Sequence, residues 1–252
     1  MKISILPIFI LFVFAFVVWM TRRARHHRSI TGEEARSLYS LIGALAGWTL
    51  VSTGLGLAGL HTSAWLLQTV PLLWQAVLPV VIVMTAFMFS ERLRSALRGV
   101  ARSTPAVWLV LIQALRIGAL GGVIKGITGE ITSGYVFWIG IPDFLFGLSA
   151  IAVGWLLLRG SIGPRFLVAW SLTGAAIILV PTFAFMGYWM NEPGFTFIFQ
   201  FPMVLAPSIV VPMFISLNAL LAWRSFRYGS QGTTVGLPGT AGAAQEGDLC
   251  YK

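Results

Sequence analysis

Long apolar runs, separated by short polar stretches, decide what this chain can fold into. Inside a bilayer only helices and closed barrels satisfy every backbone hydrogen bond, and an apolar helix of about 20 residues spans the hydrocarbon core. Only 10% of the residues are charged, whereas a soluble domain carries roughly a quarter. The sequence therefore predicts an all-α, polytopic transmembrane helix bundle with about seven spans, near residues 3–20, 38–60, 64–90, 105–124, 133–158, 166–186 and 195–223.

The composition changes after the last apolar run. Residues 1–228 form the predicted seven-span transmembrane domain. Residues 229–252 are mostly small and polar, and a segment with so little apolar surface to bury stays disordered. The sequence predicts a disordered polar C-terminal tail there.

The arginines are distributed unevenly between the two ends of the predicted spans. They cluster after the first run (22–28), the third run (91–102), the fifth run (159–165) and the last run (224–227), whereas the alternate turns hold none. Lys and Arg are enriched in cytoplasmic loops. We therefore expect a multi-pass protein of the bacterial inner membrane with its N-terminus outside and its C-terminus inside. Residues 91–102 are expected to form an amphipathic helix at the interface.

This topology also accounts for the net charge of +9. A nucleic-acid-binding protein would carry its basic residues on a soluble domain, and the apolar runs leave no room for one. The expected partners are the lipid bilayer, a small polar or anionic solute, and a second copy of the chain or another subunit of a membrane complex.

Two charged residues, Arg116 and Asp143, lie inside consecutive apolar runs. A charge at bilayer depth costs at least ~3 kcal/mol, so such residues face the bundle interior and pair. Each lies about eight or nine residues from the loop joining the two runs, which places both roughly 12–14 Å below the same membrane face. The sequence predicts that they form a buried ion pair, with Gln113 beside Arg116 on one helix face.

Other polar or helix-breaking residues inside the runs extend this candidate site. Gln68 and Gln75 are seven residues apart and share a helix face. They either hydrogen-bond a neighbouring helix or line a cavity. The predicted polar intramembrane site comprises Gln113, Arg116, Asp143, Asn218, Gln68 and Gln75. Prolines remove backbone donors and kink helices, and the predicted kinks in the last run lie at Pro202, Pro207 and Pro212.

Two local motifs concern the second run. Thr31 and Glu34 have the spacing of a capping box, which predicts a helix start. Gly43 and Gly47 form a small-xxx-small pair, which allows a neighbouring helix to approach closely.

Motifs for enzymatic or metal chemistry are missing from the sequence. It contains no G-x-S-x-G, H-E-x-x-H or P-loop motif, and the last run has no lysine to bind retinal. The single cysteine, Cys250, excludes an internal disulfide. His26 and His27 adjoin arginines, and His61 follows in an outer turn. We expect these histidines to be solvated or to lie among lipid headgroups. No catalytic residue and no metal site are predicted, an enzyme is not favoured, and no cofactor is identified.

Three segments carry a family resemblance: QALRIGALGG, IPDFLFGLSA and FPMVLAPSIVVPMFISLNAL. They resemble a family of uncharacterised bacterial multi-pass membrane proteins that has a Q-x-x-R span, an Asp-bearing span and a proline-rich last span. Gln113, Arg116, Asp143 and Pro212 match that pattern, which covers roughly the C-terminal half. Asn218 stands where the family has histidine, and Pro142 stands where it has glycine. The resemblance implies the same polar site and names no activity.

Three functions remain open from the sequence. The first is the handling of a small solute, an anion or a proton at a polar pocket around Arg116 and Asp143, as in a transporter. The second is a non-catalytic membrane subunit or scaffold of a larger complex, in which the charged pair serves helix packing. The third is an intramembrane enzyme that acts on a lipid or a quinone.

Overall fold

The computed structural model describes residues 5–63, 74–189 and 194–229 of the chain. In these ranges every element is helical, and no strand occurs. The long helices are α1 (Leu6–His26), α2 (Gly32–Leu57), α3 (Trp74–Phe89), α4 (Glu91–Ser103), α5 (Ala106–Ile127), α6 (Ser133–Leu158), α7 (Pro164–Trp189) and α8 (Ala206–Tyr228). Short 3₁₀ helices occupy Leu60–Thr62 and Phe195–Phe199.

Six of these helices are long and apolar enough to cross a membrane: α1, α2, α5, α6, α7 and α8. Helix α3 contains a shorter apolar helix, Val77–Phe89. The predicted third span began at residue 64, and residues 64–73 lie outside the described ranges, as do Gln68 and the predicted tail from residue 230. The described ranges are thus all-helical, and their six candidate spans suggest a multi-pass membrane protein, while seven spans and the orientation of the termini stay predictions.

Helix α8 is the central helix of the bundle. In its most apolar window 56% of the residues are buried, against at most 39% in any other candidate span of the described ranges. Its buried side chains, among them Ile209, Leu217 and Leu221, belong to one apolar core with residues of α1 and α5. Side chains on α8 therefore face protein on most sides.

Two predicted local structures are present near the basic end of the bundle. The Thr31 hydroxyl accepts from the amide of Glu34 at 3.2 Å, and the Glu34 carboxylate accepts from the amide of Thr31 at 2.6 Å. This confirms the capping box at the start of α2. Helix α4 buries Leu93, Ala96 and Val100 against the bundle and keeps most of its arginines exposed, so it is amphipathic as expected.

The last apolar run is interrupted, whereas the sequence suggested one span from residue 195 to 223. A 3₁₀ helix ends at Phe199, turns follow, and α8 begins at Ala206. Pro202 lies in the turns, Pro207 in the first turn of α8, and Pro212 near the start of its α-helical part. Because each proline lacks an amide donor, three of them at five-residue spacing prevent a regular helix before residue 211.

Two helices contain a π-helical turn directly before an X-Pro pair. In α6 the π turn is Val136–Gly140 and Pro142 follows; in α8 it is Ala206–Val210 and Pro212 follows. A proline cannot donate to the carbonyl four residues before it, and a π turn accommodates such an interruption. Helix α5 is irregular too, because its middle, Ile112–Ala119, is a 3₁₀ helix.

A glycine sets the distance between α5 and α6. A Cβ on Gly147 would lie 2.5 Å from the backbone nitrogen of Ile117 and 2.8 Å from the carbonyl carbon of Arg116. The two backbones therefore touch at the 3₁₀ segment. By contrast, a Cβ on Gly43 or Gly47 would meet nothing within 4 Å, so the described part of the chain places no helix against that small-xxx-small pair.

Candidate functional site

Arg116 and Asp143 form an ion pair between α5 and α6. Arg116 lies on the 3₁₀ segment of α5, and Asp143 lies in the first α-helical turn after the π turn of α6. Both Nε and Nη2 of Arg116 contact Oδ1 of Asp143. The arginine side chain is 1% exposed and the aspartate side chain 17% exposed. The cation is thus enclosed, whereas the carboxylate reaches the edge of the bundle.

A third helix holds the same guanidinium group. Nη2 of Arg116 donates to the carbonyl oxygen of Gly174 on α7 at 2.9 Å. The guanidinium carbon lies 4.3 Å from the centroid of the Phe146 ring, a cation–π contact. That ring stacks on Trp170 with the centroids 4.3 Å apart. Arg116 therefore connects α5, α6 and α7.

Gly174 is required at this point for a steric reason. A Cβ on residue 174 would lie 2.2 Å from Cζ of Phe146, so any side chain there would displace the ring that covers Arg116. The Trp170 indole is fixed as well, because its Nε1 donates to Oγ of Ser149 at 3.0 Å. Gly174 and Trp170 on α7 thus hold the ring that covers the cation in place.

Buried polar atoms beside the ion pair have no hydrogen-bond partner. Within the described ranges these are Nη1 of Arg116 and both side-chain atoms of the Gln113 amide. Residues three apart are aligned in a 3₁₀ helix, so the two side chains leave α5 on the same side. Buried polar groups in proteins are nearly always hydrogen-bonded to protein, water or ligand. This side of α5 therefore has unused capacity to donate and accept hydrogen bonds.

The structure places the other predicted site residues elsewhere. Asn218 is buried on α8, and its amide also has no partner among the described residues. No hydrogen bond joins it to Arg116 or Asp143 in those ranges. Gln75 is buried in a separate network, and Gln68 falls outside the described residues. The polar set predicted as one site thus contains an ion pair with Gln113, an isolated Asn218, and a glutamine at a second location.

The second location centres on His61, for which the expectation of a side chain exposed to solvent or lipid headgroups was wrong. His61 is 1% exposed and lies in the short 3₁₀ helix after α2. The amide nitrogen of Gln75 donates to Nδ1 at 2.8 Å. Nε2 therefore carries the proton and donates to the carbonyl oxygen of Ser52 at 3.1 Å. Both ring nitrogens are satisfied in the neutral form.

Hydroxyl groups extend this network to α8. Oγ of Ser52 donates to Oγ of Ser208 at 2.9 Å, and Ser208 donates to the carbonyl oxygen of Val204 at 2.7 Å. Burial lowers the pKa of His61, although the bond to the Ser52 carbonyl acts in the opposite direction. Sequence reasoning missed the network because its members are short polar residues on different elements. The one available signal was the glutamine at position 75 inside an apolar run.

The structure also limits what metal chemistry the described residues support. No group of three or more histidine, cysteine, aspartate or glutamate side chains lies close enough together there to hold a metal ion. The groups at the Arg116 site are a guanidinium cation, a carboxylate and an amide. These groups suit a polar or anionic molecule better than a metal ion.

The comparisons with known proteins give one family. No curated protein and no solved structure matches the chain. A family described as "Domain of unknown function (DUF8737)" matches residues 72–225, which is more than half of the chain. The matched region contains Gln75, Gln113, Arg116, Asp143 and Asn218 and ends before the tail. The chain is therefore a member of this uncharacterised family of DUF8737 domains.

Proposed function

We propose that this integral membrane protein handles a small polar or anionic solute, or a proton, at the side of α5 that carries Gln113 and Arg116. The observation that carries the proposal is the set of buried, unpartnered polar atoms there: Nη1 of Arg116 and the Gln113 amide. A charged donor next to a neutral donor and acceptor suits a small molecule with one or more oxygen acceptors.

The helix irregularities support the same proposal. A 3₁₀ segment carries Arg116, and a π turn directly precedes the part of α6 that carries Asp143. Irregular backbone at membrane depth is tolerated where it is buried in protein or lines a wet cavity. Substrate sites of many transporters lie at such interrupted helices. The partly exposed carboxylate of Asp143 supplies a group that can exchange a proton at the edge of the bundle.

Flux through reconstituted protein tests the proposal. Proteoliposomes with an entrapped pH-sensitive dye report proton entry under an imposed pH gradient, and labelled acetate and phosphate report anion entry. We expect the wild type to accelerate at least one of these fluxes relative to protein-free vesicles. Gln113→Leu should reduce it, because this substitution removes the unpartnered amide and keeps the ion pair. Gln200→Leu, at an exposed glutamine, is the matched control and should leave the flux unchanged.

Two flux results would contradict a solute site on this side of α5. If wild-type vesicles match protein-free vesicles for all three probes, the side of α5 is no solute site of these classes. If flux occurs but Gln113→Leu and Gln200→Leu behave alike, the path lies elsewhere in the bundle.

A second candidate, a non-catalytic membrane subunit, is favoured by the enclosure of Arg116. Its guanidinium group contacts a carboxylate, a backbone carbonyl and an aromatic ring from two neighbouring helices. A buried ion pair of this kind can specify how helices pack. In that case a well-folded double variant without both charges keeps its partner binding, whereas a solute site without them folds and is inactive.

A further inference from the structure

An open cavity of about 890 Å³ lies between the end of α1 and the start of α2, at the end of the bundle where the arginines cluster. Its lining includes the side chains of Arg25, Arg36, Tyr39 and Ser40. These supply two guanidinium groups and two hydroxyl groups. The cavity is distinct from the Arg116 site, since neither Arg116 nor Asp143 lines it.

The cavity has an excess of positive charge. Glu33 also lines it, but its carboxylate lies 3.3 Å from Arg92 on α4, so that charge is paired. In the described part of the chain no carboxylate forms an ion pair with Arg25 or Arg36. Guanidinium groups bind phosphate oxygens through two parallel hydrogen bonds. The chemistry of the cavity therefore fits a phosphate-bearing group.

Beyond the cavity, α2 has an exposed face on which three glycines leave open space, here called the α2 groove. Positions with alternating spacings of four and three share one face of a helix, and here they are all exposed: Arg36, Ser40, Gly43, Gly47, Leu50 and Gly54. A Cβ on any of the three glycines would meet nothing within 4 Å. From Arg36 to Gly54 this face extends about 27 Å at 1.5 Å per residue. One leaflet is half of the ~30 Å bilayer core, so the acyl chain of one lipid would extend from Arg36 to about Gly47, roughly 16 Å along the helix.

We propose that the cavity and the α2 groove bind one anionic phospholipid, with its phosphate between Arg25 and Arg36 and an acyl chain along the glycine face. Free phosphate would fill only the cavity and leave the apolar groove unused. A second copy of the chain fits less well, since two copies in one membrane share their orientation. Packing through Gly43 and Gly47 would then bring the unpaired Arg36 side chains together at equal depth, where like charges repel.

Native mass spectrometry of the full chain in detergent tests this inference. The protein is mixed with phosphatidylglycerol or phosphatidylcholine of identical acyl chains, and retained lipid is counted. Each basic residue near an anionic headgroup raises the affinity for the lipid roughly fivefold. The Arg25→Gln/Arg36→Gln variant should therefore bind phosphatidylglycerol about 25-fold more weakly than the wild type. Gly47→Leu, which fills the groove, should weaken both lipids. Arg159→Gln/Arg165→Gln removes two exposed arginines elsewhere and is the matched control.

Each alternative has its own outcome. Equal retention of the two lipids by the wild type, or unchanged retention by the Arg25/Arg36 variant, overturns the inference. If inorganic phosphate abolishes the preference for phosphatidylglycerol and Gly47→Leu leaves lipid retention unchanged, the cavity is an anion site that binds no lipid, which also overturns the inference. A wild-type dimer that Gly47→Leu converts to a monomer identifies a second copy as the occupant. Circular dichroism and melting temperature establish that each variant is folded.

Discussion

The indole Nε1 of Trp48 donates to the carbonyl oxygen of Ser208 at 3.0 Å, across 160 positions of the chain. Ser208 lies four residues before Pro212, which has no amide hydrogen to give to that carbonyl in a regular helix. The tryptophan on α2 therefore supplies the donor that the proline on α8 lacks. The side chain of Ser208 is also buried and joins the His61 network, so this contact links the interrupted start of α8 to α2.

Replacing this tryptophan should destabilise the protein. In Trp48→Phe the Ser208 carbonyl loses its indole donor, and an unsatisfied buried acceptor costs ~1–3 kcal/mol. We expect a lower melting temperature in detergent. Trp108→Phe is the control, because Trp108 is 46% exposed, and it should change the melting temperature much less. Equal effects of both substitutions would mean that the indole bond to Ser208 contributes no stability.

The two charges of the ion pair should be energetically coupled. Arg116→Leu or Asp143→Leu each leaves a charge in low dielectric without its partner, at a cost of ~3–5 kcal/mol. The double variant orphans neither charge and should recover part of the loss. Melting temperatures of the four proteins form a double-mutant cycle, and purely additive single effects would show that the pair does not act as a unit.

Adding a single methyl group at Gly147 should destabilise the protein. Its Cβ would meet the backbone of Arg116 and Ile117 at 2.5–2.8 Å, so Gly147→Ala must push α6 away from α5, at ~1–3 kcal/mol for overpacking. Gly121→Ala is the control, because Gly121 lies on α5 at a position where a Cβ meets nothing within 4 Å. That control should be neutral or stabilising by up to about 1 kcal/mol, because alanine favours helix. Thermal unfolding of the two variants decides the point; a Gly147→Ala protein as stable as Gly121→Ala contradicts it.

Acid should weaken the fold through His61. Burial lowers its pKa in the folded protein below the ordinary value near 6.5. Below that ordinary value the unfolded chain binds a proton that the folded protein excludes, so the free energy of unfolding falls as the pH drops. The residues that contact His61 from α2 and α3, namely Ser52, Trp74 and Gln75, are uncharged. No carboxylate among them compensates the proton.

The measurement is the melting temperature between pH 8 and pH 5. His61→Gln should flatten the decline towards acid, whereas His26→Gln, at an exposed histidine, should keep it. A decline of the same steepness in the His61 variant would assign the acid sensitivity to other groups.

The orientation of the chain can be measured directly. The arginine distribution predicts that the segments after Arg28 and after Arg227 both lie in the cytoplasm. A reporter that is active only in the cytoplasm should therefore be active at both positions. Silence at either position would change the number of spans or the orientation.

The sequence could predict only those contacts that leave a recognisable pattern in it. Arg116 and Asp143 were identifiable because a charge in an apolar run is costly, and counting from the shared loop gave them equal depth. The carbonyl of Gly174 and the ring of Phe146 complete the same contact set, yet a backbone acceptor and an aromatic residue leave no signal in an apolar helix. His61 was misplaced because a polar residue in a short turn is ordinarily solvated. Its burial depends on Gln75 and the Ser52–Ser208 bond, which pair distant positions.

The π turns before Pro142 and Pro212 have a consequence for comparing relatives of this chain. A π turn is equivalent to one residue inserted into an α-helix, and one residue rotates everything beyond it by about 100°. A homologue that lacks the inserted residue would need a one-residue gap between positions 136 and 140 to keep its carboxylate aligned with Asp143. Alignments that forbid gaps inside membrane spans would pair that aspartate with the wrong column. They would make a retained acidic position look variable.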